Sequence, residues 1–266
     1  MRLARILLLI STPLAAQQPF FTDDAATTAK GQVHFEFFNE HDWLKADMFP
    51  SLRQNTANMK VNFGVTESVE LNIDNPYLAI FRSRGTEPRG LNGVGDTNLG
   101  VKWNFHKERS DSRSPAFSAT MYIEFPTGDT SRQLGSGLID YTFNGIAQKS
   151  VSDRTKVTAN LGIVFSGNDS TGLIGIQTRG RVFMGGVSVV RKFSERLTLG
   201  VECYGATSDN FELGRSQLQI LGGGSYDLGK GVGITFALLG GKYVASPRVG
   251  GQIGFTIDFP SFSAAK

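Results

Sequence analysis

The sequence predicts an all-β fold, an antiparallel transmembrane β-barrel of about twelve strands. Three observations point to it. Apolar side chains recur at every second position in one segment after another. The polar stretches between these segments alternate between long and short. The chain also opens on a stretch with the order of an export signal.

Composition narrows the alternatives. The 266 residues are 40% apolar and 19% charged, so the chain is neither disordered nor strongly hydrophobic. No apolar run reaches about 18 residues, the minimum for a membrane-spanning helix. The 32 glycines favour tight turns and close strand contacts over helices. No long segment carries a clean helical period.

Taken in order, the chain begins "MRLARILLLISTPLAAQQ". Arg2 and Arg5 form a basic region, Ile6 to Ile10 a short apolar core, and Ala15 and Ala16 the small residues of a cleavage site. Residues 1–16 therefore read as a secretory signal peptide, the alternative being an ordinary apolar strand. Residues 17–31 follow as an N-terminal periplasmic segment. The barrel is expected over 32–259, with 260–266 as a C-terminal tail.

The first strands alternate through Val33, Phe35 and Phe37, then Met59, Val61 and Phe63, then Val69, Leu71 and Ile73. "GVGDTNLGVKWNF" at 93–105 places Leu99, Val101, Trp103 and Phe105 on one face and Asp96, Asn98, Lys102 and Asn104 on the other. Phe117 to Phe125, Ile139 to Phe143 and Val157 to Phe165 repeat the pattern. Residues 174–193 switch parity, from Ile174 and Ile176 to Val187 and Val189, which suggests a bulge near Gly185 and Gly186. Four strands close the chain: Leu197 to Cys203, Leu218 to Tyr226, Val232 to Leu238 and Val249 to Phe259. Most of these segments run to roughly ten residues, enough for a tilted strand to cross a bilayer.

The connections sort by length. Residues 41–54, 80–92, 126–138, 167–173 and 207–215 are long and polar. Turns at 66–68, 152–155, 194–196 and 227–231 are short, and 106–114 is the long exception. Outer-membrane barrels have short periplasmic turns and longer external loops, whereas a soluble sandwich has no reason to alternate them. An even strand count leaves both ends in the periplasm. Trp103, Phe105, Phe125, Phe143, Phe165 and Phe259 fall at strand ends, where aromatic girdles belong.

If the apolar parity meets lipid, the other parity meets a watery lumen. It carries Glu36, Lys60, Glu70, Asp74, Asp96, Lys102, Glu124, Asp140, Lys156, Glu202 and Asp258. Such groups would make a polar, slightly acidic pore with a mild cation preference. Alternatively they pair across a filled or gated lumen, because unpartnered charges in a dry interior are costly.

Three stretches resemble a known family: "PFFTDDAATTAKGQVHFEFFNE" at 19–40, "GVGDTNLGVKWNF" at 93–105 and "EFPTGDTSRQLGSGLIDY" at 124–141. The chain resembles bacterial outer-membrane proteins labelled as components of the meta-cleavage pathway of phenol degradation. The matching positions are Asp23 and Asp24, then Gly93, Gly95 and Asp96, then Pro126, Thr127, Gly128 and Asp129. The motifs are short, but their order and spacing agree. The resemblance implies an outer-membrane barrel and, by its label, uptake of small compounds, aromatic ones among them.

Other chemistries find little support. The single cysteine, Cys203, excludes an internal disulfide and shares parity with Leu197, Leu199 and Val201, as a buried or lipid-facing residue would. The only histidines are His34, His41 and His106; no Gly-x-Ser-x-Gly elbow and no His/Cys metal spacing accompanies them, so catalysis is not expected and no cofactor or metal is called for. A lipid-modifying enzyme is the last of the alternatives. The 27 basic residues less Arg2 and Arg5 leave 25 against 24 acidic, which implies no nucleic-acid partner. "GDT" after Pro126 and "TDD" at 22–24 lack the dense carboxylates of a calcium loop. Arg82, Arg84 and Arg89 fall in one expected external loop, either solvated or gripping lipopolysaccharide phosphates. The expected partners are thus outer-membrane lipid, lipopolysaccharide and a small-molecule solute, and the expected function is passage of that solute through the barrel.

Overall fold

The computed structural model describes residues 19–109, 113–165, 180–208 and 216–260. The expected signal peptide, most of the C-terminal tail and the loop 167–173 lie outside them. So do residues 174 to 179 and all but the first two positions of 207–215.

Thirteen strands are present among the described residues: β1 (Val33–Trp43), β2 (Ser51–Gly64), β3 (Val69–Arg82), β4 (Gly90–Val94), β5 (Thr97–His106), β6 (Ala116–Phe125), β7 (Asp140–Ser152), β8 (Thr155–Phe165), β9 (Arg181–Lys192), β10 (Leu197–Ser208), β11 (Gln217–Gly229), β12 (Val232–Gly241) and β13 (Val249–Phe259). Each pairs antiparallel with its neighbours. β4 and β5 both lie on β3 and form one wall strand broken at Gly95 and Asp96. β13 returns to β1, from Val33 opposite Phe259 to Trp43 opposite Val249. The sheet is a closed antiparallel barrel of twelve wall strands, and closure leaves no sheet edge exposed to hydrocarbon.

The burial pattern is the reverse of a soluble sheet. On β5, Leu99, Val101, Trp103 and Phe105 are exposed, while Lys102 and Asn104 are buried. The same inversion holds elsewhere: Leu161, Val201, Ile220, Leu238 and Ile253 point outward, and Glu36, Asn62, Glu70 and Glu202 point in. A water-soluble fold would not place these large apolar residues in solvent and bury those charges; a lipid-facing wall does. This is an outer-membrane barrel. Cys203 is exposed on the outward face of β10.

The strands outrun their apolar cores. β1 continues through His41, Asp42 and Trp43, β2 begins at Ser51, and only 44–50 remains as loop, with a 3-10 turn at Ala46–Met48. β3 runs on to Arg82 and β4 starts at Gly90, which shortens the expected loop 80–92 to 83–89. At the end of β1 polar side chains on both faces hide the extension from a periodicity reading, and in β3 the apolar Ile80 and Phe81 on opposite faces do the same. No bulge occurs at Gly185 and Gly186: the register of β9 runs unbroken against both β8 and β10. The ambiguity has a physical source, since Val182 and Met184 on the inner face of β9 are as apolar as Phe183 and Val187 on the outer one. Register shifts occur instead near strand ends, at Ser51/Arg53, Asn104/His106, Ser150/Ser152 and Asp227/Gly229.

Candidate functional site: a segment threaded through the barrel

The inner wall has two characters. β1 to β7 present mainly charged and amide side chains there. β8 to β12 carry an apolar strip in two clusters: Val164, Val182 and Ala206 with Met184, and Leu221, Ala237 and Leu239.

Residues 19–31 run through this interior. They have no helical or strand structure, so their polar backbone groups need partners from the wall. At the short-turn end, the Gly31 N–H donates to the Gly64 carbonyl (2.7 Å), and the Gly64 N–H donates to that of Gln32 (3.1 Å). A Cβ on Gly64 would collide with the carbonyl oxygens of Thr28 and Ala29, so glycine is what lets the segment lie against β2. The Thr28 N–H donates to Glu70 (2.6 Å). Ala25 packs against Ala116 and Ile146. Its N–H donates to Gln148 (2.8 Å), and its carbonyl accepts from Asn104 (2.5 Å) and Ser118 (2.7 Å).

Lys102 is the centre of this arrangement. Its side chain has no exposed surface, and its ammonium lies 2.9 Å from Asp23 Oδ1 and 3.4 Å from Asp24 Oδ1. It also donates to the Ala26 carbonyl at 2.9 Å. A buried ammonium is tolerated only with such partners. Farther in, Glu202 accepts from the Phe21 N–H (3.1 Å), the Thr22 N–H (2.5 Å) and the Thr22 hydroxyl (2.6 Å). Phe20 and Phe21 then pack on the Leu221, Ala237 and Leu239 cluster, with the Phe21 ring 5.6 Å from that of Tyr204.

The charged residues singled out from parity thus divide into groups. Glu70, Lys102 and Glu202 hold the N-terminal segment. Glu36 accepts from Asn62 (2.8 Å), and its carboxylate lies 3.5 Å from His34 Nε2; Asp258 meets His34 Nδ1 at 2.5 Å. These contacts tie β1 to its neighbours at the seam where the barrel closes. Asp74 accepts from Asn98 (3.1 Å). Lys60 lies within electrostatic reach of Glu36, Asp23 and Asp74. Glu124 stands directly across from Asp140 in the β6–β7 register. Lys156 is exposed, near the turn between β7 and β8. Asp96 occupies the break between β4 and β5 rather than a strand, and accepts from the Gly128 N–H (2.9 Å) and the Ser136 N–H (2.7 Å).

Asp96 thereby pins the loop 126–139 at the long-loop end, with Thr127 donating to the Gly95 carbonyl (3.0 Å) and Leu134 buried. The Gly-x-Gly-Asp and Pro-Thr-Gly-Asp stretches, distant in sequence, are the two halves of this one contact. Gln148, Asn104, Ser118 and Gly64 escaped the reading from charge alone. They are neutral and meet backbone groups of a segment without regular structure, Ala25, Gly31 and Gln32, so no charge pattern points to them.

The remaining candidates lie elsewhere. Arg82 reaches the Pro88 carbonyl (3.4 Å), Arg89 approaches Glu87 (4.0 Å) within the same exposed loop, and Arg84 is exposed. His41 lies edge-on to Trp43, and His106 packs on Phe117. Among the described residues no group of three or more His, Cys, Asp or Glu is arranged to hold a metal ion.

Solved structures share this architecture. The COG4313 outer membrane channel from Pseudomonas putida F1 matches 89% of this chain and 98% of its own, at 12% identity and a TM-score of 0.69. The NanC porin matches over 84% and 98%, at 9% identity and a TM-score of 0.56. The KdgM porin, in complex with disordered oligogalacturonate, matches over 85% and 99%, at 10% identity and a TM-score of 0.55. At these identities the likeness is one of fold. No curated protein sequence matches the chain. A family model does, over residues 26–259, which takes in the wall strands, the pinned loop and the last part of the threaded segment, so the chain belongs to the family described as "Putative MetA-pathway of phenol degradation".

Proposed function

We propose that the barrel passes small apolar or aromatic solutes across the outer membrane, along the inner strip of β8 to β12, and that residues 19–31 act as the obstacle such a solute must displace. The carrying observation is that two phenylalanines, Phe20 and Phe21, cover one of the apolar clusters of the inner wall. An aromatic solute would find there the surface that these rings now cover. The family's description, with its mention of phenol degradation, supports the solute class, and the P. putida structure's description as a channel supports passage. The charged residues then divide by role. Glu70, Lys102 and Glu202 hold the segment, Asp96 pins the loop 126–139, Lys156 lies exposed at a turn, and the others line or brace the polar side of the route.

A second reading, a closed barrel that binds a ligand or serves structure, is favoured by the same segment, since its contacts reach both sides of the interior. Catalysis is not part of either reading: His34 is engaged by Asp258 and Glu36, and neither His41 nor His106 stands beside a nucleophile in the contacts described. Export by residues 1–16, a Gram-negative source and contact with lipopolysaccharide belong to the same proposal.

The test is influx of a labelled monoaromatic compound, and of a sugar of similar size, into vesicles with a lipopolysaccharide outer leaflet. The barrel should admit the aromatic faster than protein-free vesicles do and leave the sugar behind. Saturable binding without influx would support the closed, ligand-binding reading; neither binding nor influx by a folded barrel would refute passage and leave a structural barrel.

A further inference from the structure

We propose that the outer wall over β9 to β13 carries a binding site for one glycerophospholipid of the periplasmic leaflet. The wall is dented there. In register across the strands, Val189, Val201, Gly222, Leu238 and Gly251 form one outward row. The adjacent row toward the short turns runs Arg191, Leu199, Gly224, Phe236 and Ile253. Gly222 thus replaces a side chain in the middle of this lipid-facing surface, with Gly200 and Gly223 also lining the hollow, and a Cβ at Gly222 would meet nothing within 4 Å. The hollow measures about 740 Å³, within the range of roughly 300–1,000 Å³ that encloses a small ligand. Val201, Leu238 and Ile253, at 58%, 72% and 63% exposure, stand as its walls. That shape suits an acyl chain.

Charge supplies the second half of the argument. Arg191 and Phe193 border the hollow at the end where β9 turns into β10. The guanidinium sits 5.9 Å from the Phe193 ring centroid. Lys192 beside it is paired with Glu195 at 2.9 Å. The turns alongside add Arg154, Arg196 and Asp153, so the basic groups outnumber the acidic ones. The short turns mark the periplasmic side, where the leaflet consists of phospholipid. An arginine at headgroup depth there reads a phosphate by charge-assisted hydrogen bonds while its stem lies along apolar surface. Lipopolysaccharide, confined to the opposite leaflet, would not reach it.

The test is native mass spectrometry of the detergent-purified barrel titrated with phosphatidylglycerol, with diacylglycerol and lipid A as comparators. One phosphatidylglycerol should survive the activation that strips the micelle. Gly222→Leu should fill the hollow and lower the retained fraction, and Arg191→Gln should remove the phosphate contact and lower it by about tenfold, the scale of one charged hydrogen bond. Both positions lie on the outward face, and cold-SDS mobility checks that the variants are folded. Retention unchanged in Gly222→Leu, diacylglycerol held as well as phosphatidylglycerol, or lipid A preferred over both would each overturn the site. None of these results depends on what crosses the lumen.

Discussion

Replacing Lys102 by methionine keeps the length of the side chain and removes its charge. The change strips the contacts to Asp23, Asp24 and the Ala26 carbonyl at once and leaves two carboxylates facing each other in the interior. Breaking a buried pair in this way costs about 3–5 kcal/mol, a hundred- to several-thousand-fold shift toward release of the segment. The contacts of Glu202, Glu70 and Gln148 remain, so the barrel itself should still form. Single-channel recording in a planar bilayer reads the outcome. Wild type should rest at a small conductance with rare larger steps, and Lys102→Met should dwell in the larger state. Adding Asp23→Asn and Asp24→Asn should move it partly back, because the stranded carboxylates are gone; the non-additivity measures the coupling. Equal conductance in wild type and Lys102→Met, with residues 19–31 equally shielded from protease, would refute the role given to this lysine.

Three further outcomes follow from the same contacts. Gly64→Val should force the segment off β2, raising conductance while leaving the shift in mobility between cold and boiled SDS samples intact. Asp96→Ala removes the acceptor for the Gly128 and Ser136 N–H groups, at about 1.5–3 kcal/mol for each such charged bond, and should open the loop 126–139 to external protease. At the short-turn end, burial alone would push the Glu108 carboxyl up, but the Lys149 ammonium at 2.7 Å and the Ser150 N–H outweigh it and hold it below the usual carboxylate range. A depressed folded value means stabilisation present above the unfolded value and lost as pH falls through the folded one. Hydrogen exchange at the start of the β5–β6 turn should therefore accelerate below about pH 4, and Glu108→Gln should abolish that dependence.

The wall was legible in the sequence because a strand's two faces differ at a period of two. Leu99 to Phe105 and Val249 to Phe259 carry that signal cleanly, and the last strand has the bounds read from its residues. It failed where both faces share a character. His41 and Asp42 at the top of β1 are polar on either side, and Val182 and Met184 in β9 make the inner face as apolar as the outer. The threaded segment has no period to read. Its partners lie far off in sequence, with Glu202 181 positions from Phe21 and Gln148 123 from Ala25. A list of inward charges could therefore be drawn up from parity, while the fact that three of them clasp one strand of chain required the fold.

The most direct test locks that chain in place. Ala25 and Ala116 pack against each other, and Ala25→Cys with Ala116→Cys in a Cys203→Ser background offers a reversible bond between segment and wall. Influx of the labelled aromatic compound is then measured before and after reduction. The expected result is no influx in the oxidised barrel and the wild-type rate once the bond is reduced. Influx at the wild-type rate through a fully oxidised barrel would contradict the claim that residues 19–31 must yield for a solute to pass.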